Sequence, residues 1–337
     1  VGTPAESGAA RAAAALTMDL TDLRLVRTTV STGMLVALFA WETFAPYFPF
    51  FAGQWRRRSI HAFRNLLLGV INALVVAALF VTLWLLAAEW AARNQFGLLH
   101  WLGLRGGAHT LGAILLFDGW MYGWHRLNHA LPFLWRFHRT HHSDPFMDVT
   151  TASRFHLGEI ILSSVLRAPV IALIGMHLWQ VLLYESLMFL VVQLHHANIG
   201  LPAALDRWLR LLIVTPAMHK VHHSRWQPET DSNYSSLFSL WDRCFRSFRL
   251  RDDPRTIRFG LEDYDAPEHQ HLRGLLATPL RKTRPARETP AVRPSTPPLR
   301  EQGRDNQAGE IVGQRHALQV EDDRRDRANQ QAAGRID

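Results

Sequence analysis

Cysteine is almost missing from this chain: Cys244 is the only one in 337 residues. A disulfide framework is thereby excluded, as is a zinc or iron–sulfur site built on several thiolates. Lysine is nearly as scarce, with Lys220 and Lys282 the only two, so the net charge of +8 is carried by arginine. Much of that charge flanks apolar stretches, and no interleaving of aromatic and basic residues marks an RNA-binding module. The charge therefore fits a membrane surface and not a nucleic acid. Two catalytic signatures are absent as well. There is no HExxH of a zinc protease, and no Glu-x-x-His beside the histidine-rich stretches, as a carboxylate-rich di-iron bundle would require.

What the chain does have is histidine in helical spacing. One stretch reads His125-Arg-Leu-Asn-His129 and, eight residues on, His138-Arg-Thr-His141-His142; a second reads His219-Lys-Val-His222-His223, preceded by His195-His196. Residues three and four apart share one face of a helix, with Cβ atoms roughly 5–6 Å apart, so HxxxH and HxxHH set imidazoles side by side. A single such histidine is ordinarily a satisfied core or surface residue. Three clusters with HxxHH repeated predict a metal site, and eight imidazoles are too many for one tetrahedral ion but suit two adjacent metals.

Apolar runs organise the rest. Residues 66–88 hold only Asn72 and Thr82 as polar side chains, long enough to cross a bilayer. Residues 30–51, broken by Pro46 and Pro49, and 108–124, interrupted by Asp118, are two further candidate spans. Residues 160–194 are too long for one helix and fit a transmembrane hairpin broken near Arg167, Pro169 and Gly175-Met176-His177. Between the first two spans, Trp55 to Arg64 reads as a short basic loop. If that loop is cytoplasmic, every histidine cluster falls on the cytoplasmic face. The expected fold is an all-α integral membrane protein of about four to five transmembrane helices, with a cytoplasmic-face helical cap holding the di-metal site.

The expected organisation is a flexible segment at 1–29, anchoring helices at 30–107 and a His-rich catalytic region at 108–260. A partly ordered connector at 261–280 and a disordered tail at 281–337 follow. The tail mixes arginine with acidic residues and proline and lacks apolar periodicity, so it cannot bury enough surface to offset ordering. Residues 1–17 are small and alanine-rich, with Met18 the expected start of translation.

Several runs carry a resemblance. These are Asp118-Gly-Trp-Met-Tyr-Gly-Trp-His125-Arg-Leu-Asn-His129, Leu134-Trp-Arg-Phe-His138-Arg-Thr-His141-His142-Ser143, and Arg154-Phe-His156-Leu-Gly-Glu159. His196-Ala-Asn198, Thr215-Pro-Ala-Met-His219-Lys-Val-His222-His223-Ser224, and Asp231-Ser-Asn-Tyr234 leading to Trp241-Asp242-Arg243 complete the set. Together they resemble the fatty acid hydroxylase/sterol desaturase superfamily of membrane di-iron enzymes over about residues 110–250. The resemblance implies two irons held by His125, His129, His138, His141, His142, His196, His219, His222 and His223, with His195 a further metal candidate. His156 and Glu159 match a motif that implies a supporting role. The sequence departs where Cys244-Phe-Arg-Ser-Phe248 follows Trp-Asp-Arg in place of Phe-Gly-Thr, and where Leu157 stands for a common proline.

Imidazole suits this work, being neutral and an established iron ligand. Ligating histidines donate their second N–H to a carboxylate or carbonyl, and Asp118, Asp144, Asp231 and Asp242 are near enough in sequence to supply one. The expected function is O2-dependent hydroxylation or desaturation of a lipid in a bacterial inner membrane. Electrons would come from a separate ferredoxin, rubredoxin or cytochrome-type donor and its reductase, since no cofactor domain is fused. Two other classes compete. A membrane zinc hydrolase needs only three protein ligands. A metal transporter or sensor places its site near mid-membrane and not at span ends.

Overall fold

The computed structural model describes residues 20–281, and the expected disordered tail therefore lies almost wholly outside the described residues. Eight helices position the site. They are α1 (Leu20–Phe44), α2 (Trp55–Leu79), α3 (Val81–Arg93), α4 (Gly106–Ala130), α5 (Pro132–His142), α6 (Leu157–Ile174), α7 (Leu178–His196) and α8 (Pro216–His222). Shorter helical turns join them, and among the described residues there is no strand, only isolated bridges at Ile213–Phe238 and Ser224–Phe259. The chain is all-helical.

Three helices are long and apolar enough to cross a membrane: α2, α6 and α7. At about 1.5 Å per residue, the 25 residues of α2 exceed a hydrocarbon core of about 30 Å. Only 22% of its apolar window is buried inside the protein, and Phe63, Val70 and Leu74 point outward. Side chains of this kind left outside the core need a partner that is itself apolar, and a lipid bilayer is one. The other two, α6 and α7, turn at Gly175, whose positive φ of 84° is the left-handed conformation that favours glycine at a helix end. The turn is tight because Gly97 lies against it: a Cβ on Gly97 would stand 2.5 Å from the Gly175 nitrogen.

The structure departs from the sequence reading in four places. The expected basic loop is the beginning of α2, since arginine is a good helix former and its long stem lets the charge reach water from a helix. The apolar run 66–88 is not one helix; it is interrupted at Phe80 (φ −116°, ψ −26°) between α2 and α3, although Phe80 N–H still donates to the Val76 carbonyl at 2.9 Å. Neither α1 nor α4 is among these three. The first carries Arg27, Thr28, Thr29 and Glu42, and the second His109, Asp118, His125 and His129. Residues 20–29, placed in the expected flexible segment, are helical.

The main core lies where α3, α4, α6 and α7 meet, around Phe117, Ile171, Val181 and Tyr184, with the Phe117 and Tyr184 rings edge to face at 5.0 Å. A second cluster, Phe48, Met147, Val221, Ile257 and Phe259, ties the proline-rich turn after α1 to α8. A buried ion pair adds to these clusters. Glu42 pairs with Arg58 at 3.0 Å and accepts from Val149 N and Asn198 N, fixing the chain on both sides of the histidines.

Candidate metal centre

Four helix ends bring the histidines together. His125 and His129 sit one turn apart at the end of α4, and His138, His141 and His142 close α5. His195 and His196 end α7; His219 and His222 lie on α8, with His223 as its cap. The ring nitrogens fall into two sets. His125, His129, His138, His142 and His222 form one, and His141, His196, His219 and His223 the other, with the ligand atoms of each set within 4.8 Å of one another. The sets adjoin, the rings of His142 and His223 stacking at 4.5 Å.

Within each set it is Nε2 that faces Nε2. The separations are 3.1 Å for His125–His138, 3.2 Å for His138–His142, and 3.1 Å for His141–His196, His196–His219 and His219–His223. Imidazole nitrogen binds a first-row metal at about 2.0–2.1 Å, so two nitrogens at right angles on one ion stand about 3.0 Å apart. The observed spacing matches that corner.

The other ring nitrogen shows where the proton is. His125 Nδ1 reaches the Tyr234 carbonyl at 2.7 Å, His222 Nδ1 the Ser232 carbonyl at 2.7 Å, and His196 Nδ1 the Val192 carbonyl at 2.7 Å. His138 Nδ1 meets Glu159 Oε1 at 2.9 Å and His129 Nδ1 meets Asp231 Oδ1 at 3.2 Å. A carbonyl or carboxylate accepts a proton, so these five rings carry N–H at Nδ1 and turn bare Nε2 lone pairs inward. His129 Nε2 and His222 Nε2 have no protein partner at all. A buried polar atom left unpaired costs about 1–3 kcal/mol, and inward lone pairs are what a cation would satisfy.

The sequence candidates divide on this geometry. Nine histidines join the two sets; His195 joins neither, stacking instead on the His219 ring at 3.8 Å. Among the acidic candidates, Glu159 and Asp231 touch a histidine of the sets. Asp242 acts one step removed, accepting from Tyr234 N at 2.7 Å and Ser235 N at 3.1 Å, next to the carbonyl that His125 uses. Asp118 is held by Tyr184 Oη, Trp241 Nε1 and Phe238 N, away from the sets. Asp144 faces His61, Asn65 and Thr151. His156 caps α6, its Nδ1 accepting from Gly158 N at 2.9 Å.

Three further contributors stand inside the motif runs, with no role assigned to them from the sequence. Asn233, at φ 52°, ties its side chain to the Met218 and Arg249 carbonyls and so aims the flanking Ser232 and Tyr234 carbonyls at two rings. Lys220 is buried and donates to the Ala197 and Ile199 carbonyls at 3.0 Å, anchoring the chain just past His196; burial pushes its amine down to about 7. Phe155 lies flat on His141 at 4.3 Å.

Burial first, and neighbouring imidazoles second, hold His141, His142, His219 and His223 well below the ordinary histidine value; burial likewise takes His222 down to about 3. The linkage has one sign. Above the ordinary value of 6.5 both folded and unfolded chains hold these rings neutral. As pH falls below it, the unfolded chain takes up protons that the folded chain refuses, so stability is lost. The metal-free protein in detergent is expected to melt at steadily lower temperature from pH 7 toward about pH 5. A melting temperature flat across that window would contradict the buried, neutral state of the rings.

Comparison with known proteins agrees with this geometry. The Fatty acid hydroxylase family profile matches residues 110–247, which contain every histidine of both sets. Residues 110–247 thus resemble the fatty acid hydroxylase/sterol desaturase superfamily. It is 29% identical over 149 residues to alkylglycerol monooxygenase of Homo sapiens, covering 44% of this chain and 32% of that protein. It is 29% identical over 152 residues to the ornithine lipid hydroxylase OlsE of Rhizobium tropici, 45% of each chain. Cholesterol 25-hydroxylase of Rattus norvegicus shares 23% over 157 residues, 46% of this chain and 51% of that one. The matched stretch thus spans about a third to a half of these curated relatives. No solved structure matches it significantly.

Proposed function

We propose that the protein is an O2-dependent oxidoreductase that hydroxylates or desaturates a C–H bond of a membrane lipid at two histidine-held iron ions. The observation that carries this reading is the convergence of nine imidazoles in two adjoining sets containing no carboxylate. His125, His129, His138, His142 and His222 would hold one iron, and His141, His196, His219 and His223 the other. Four or five donors per ion exceed the three of a catalytic zinc, and the unpaired Nε2 atoms of His129 and His222 fit an added cation.

When bound, an iron pair supplies the electrons that activate O2 toward an unreactive C–H bond. The chain's residues do the remaining work. Glu159, Asp231 and the Ser232, Tyr234 and Val192 carbonyls hold five Nδ1 protons, fixing each ring's rotation and keeping Nε2 bare. Phe155 against His141 and Trp135 against His129 and His142 exclude water from two flanks.

A lipid substrate is supported by the relatives, which by name act on an alkylglycerol, an ornithine lipid and cholesterol. The site's position supports it too, at the end of the apolar helix α7. In this reading α1 and α4 accompany α2, α6 and α7 in four or five crossings of a bacterial inner membrane. Placement of the site on the cytoplasmic face is supported by His61, in the arginine-rich start of α2, which meets Asp144 just beyond His142 at 2.9 Å. The basic end of α2 and the histidines therefore share one side. The deciding experiment is metal analysis and product assay on protein from iron-replete cells. The expected result is about two irons per chain and oxygen-dependent hydroxylated or desaturated lipid. Zinc alone with hydrolytic activity would overturn the proposal.

A further inference from the structure

A cavity of about 800 Å³ opens at the N-terminal end of α2, apart from both histidine sets. Arg56, Arg57, His61, Arg64 and Arg154 give it its charge, and Phe51, Ile60, Pro145 and Phe146 an apolar wall. Arg57, Ile60, His61 and Arg64 follow the spacing i, i+3, i+4, i+7, so one stripe of α2 lines it. Arg154 is 1% exposed and is held by neutral acceptors: the Thr140 carbonyl, Asn65, Ser143 and Gln270. Arg57 leans on the Phe146 ring at 4.5 Å and donates to Gln54, and Arg64 donates to the Gln270 carbonyl. The one carboxylate in the lining, Asp265, is already gripped by both Nη atoms of Arg225. Asp144 and Asp148 are engaged with His61. Several guanidinium groups thus share a concave space in which no carboxylate is free to answer them.

We propose that this cavity binds the phosphate-bearing headgroup of an anionic membrane phospholipid. Planar guanidinium forks suit phosphate oxygens. The N-terminus of α2 adds to the attraction, since its cap, Gln54, makes no side-chain hydrogen bond to the open N–H groups and the first turn holds no acid. The location selects a lipid over a free anion. The same helix runs on from the cavity into an apolar stretch whose adjoining face, at Phe63, Val70 and Leu74, is exposed, so the acyl chains of a headgroup in the cavity would pass round the helix onto that face. The apolar wall gives the glycerol and upper chain a surface to cover. A concave pocket of this size suits a headgroup better than the flat patch an acidic protein would need. This inference rests on α2 as a membrane span and not on the metal chemistry.

The test uses the full-length protein in phosphatidylcholine nanodiscs carrying a minor fraction of phosphatidylglycerol, with bound lipid read by native mass spectrometry. Wild type is expected to retain phosphatidylglycerol over phosphatidylcholine. Arg57→Gln/Arg64→Gln should weaken that retention about tenfold or more, at about 1 kcal/mol per arginine near a membrane surface. Arg57→Lys/Arg64→Lys should recover most of it, which separates lost charge from lost fold. Arg207→Gln/Arg273→Gln, outside the cavity, should retain lipid as wild type does. Undiminished retention by the double Gln variant, or no preference in wild type, would overturn the proposal. So would competition by inorganic phosphate at the same concentration as the lipid, which would make this a free-anion site. Turnover with an acidic protein donor lost while lipid retention stays intact would assign the cavity to that protein instead.

Discussion

His138→Ala and His222→Ala are each expected to abolish lipid oxidation and to lower bound iron, while His269→Ala does neither. His138 stands at the centre of its set: its Nε2 is 3.1 Å from that of His125 and 3.2 Å from that of His142, and its Nδ1 meets Glu159. His222 contributes a bare Nε2 with no protein partner, so its removal deletes a donor and nothing adjacent can replace it. A neighbour that only orients a ligand is worth about 10- to 100-fold in metal affinity, so loss of the ligand itself should exceed about a hundredfold. Glu159→Gln makes the graded comparison. It keeps a hydrogen-bond partner near His138 but removes the charge, and iron affinity should fall by about ten- to a hundredfold. His269, by contrast, packs against Tyr264 away from both sets. The readouts are iron per chain and product per minute, and full turnover by either alanine variant would sink the assignment.

Sustained turnover should require an added electron donor. Inserting one oxygen atom of O2 into a C–H bond, with the other leaving as water, consumes two electrons and two protons beyond those of the substrate. These 337 residues hold a single cysteine, too few for an iron–sulfur cluster, so electrons beyond those of one reduced iron pair must be supplied. Chemically reduced protein given O2 and lipid is therefore expected to stop at about one product per pair of irons. Steady turnover should appear only with a ferredoxin, rubredoxin or cytochrome-type donor and its reductase. If the histidines lie on the cytoplasmic side, as proposed, inside-out vesicles should respond to added donor and sealed right-side-out vesicles should not. Continued turnover on O2 with no reductant present would rule the mechanism out.

Much of the site could be read from the sequence because helical spacing is local. HxxxH and HxxHH fix which rings share a face before any tertiary contact exists, and the structure groups those same rings. Adjacent residues on a helix point about 100° apart, and spacing alone does not say whether His195, His196 or both face the sets. Packing decides it, with His196 Nδ1 bonded to Val192 one turn back and Nε2 turned to His141. The Tyr234 and Ser232 carbonyls left no trace, because any residue supplies a carbonyl and their aim depends on the unusual backbone of Asn233. The membrane helices were legible by composition but not by boundary. An arginine-rich start looks like a loop and behaves as the first turns of α2.

The adjoining sets also make a statement about polymer topology. The donors run from His125 to His223, and each set draws on helix ends far apart along the chain: α4, α5 and α8 in one, α5, α7 and α8 in the other. An ion seated in either set is a reversible crosslink, closing loops whose entropy the chain must otherwise supply from packing alone. Because binding and loop closure share one free energy, the first ion would raise the affinity for the second by holding α5 and α8 together. Withdrawal of either should loosen the segment between residues 143 and 218 as a unit. Limited proteolysis with and without a chelator would then cut the same segment at different rates, and loading would be cooperative in iron.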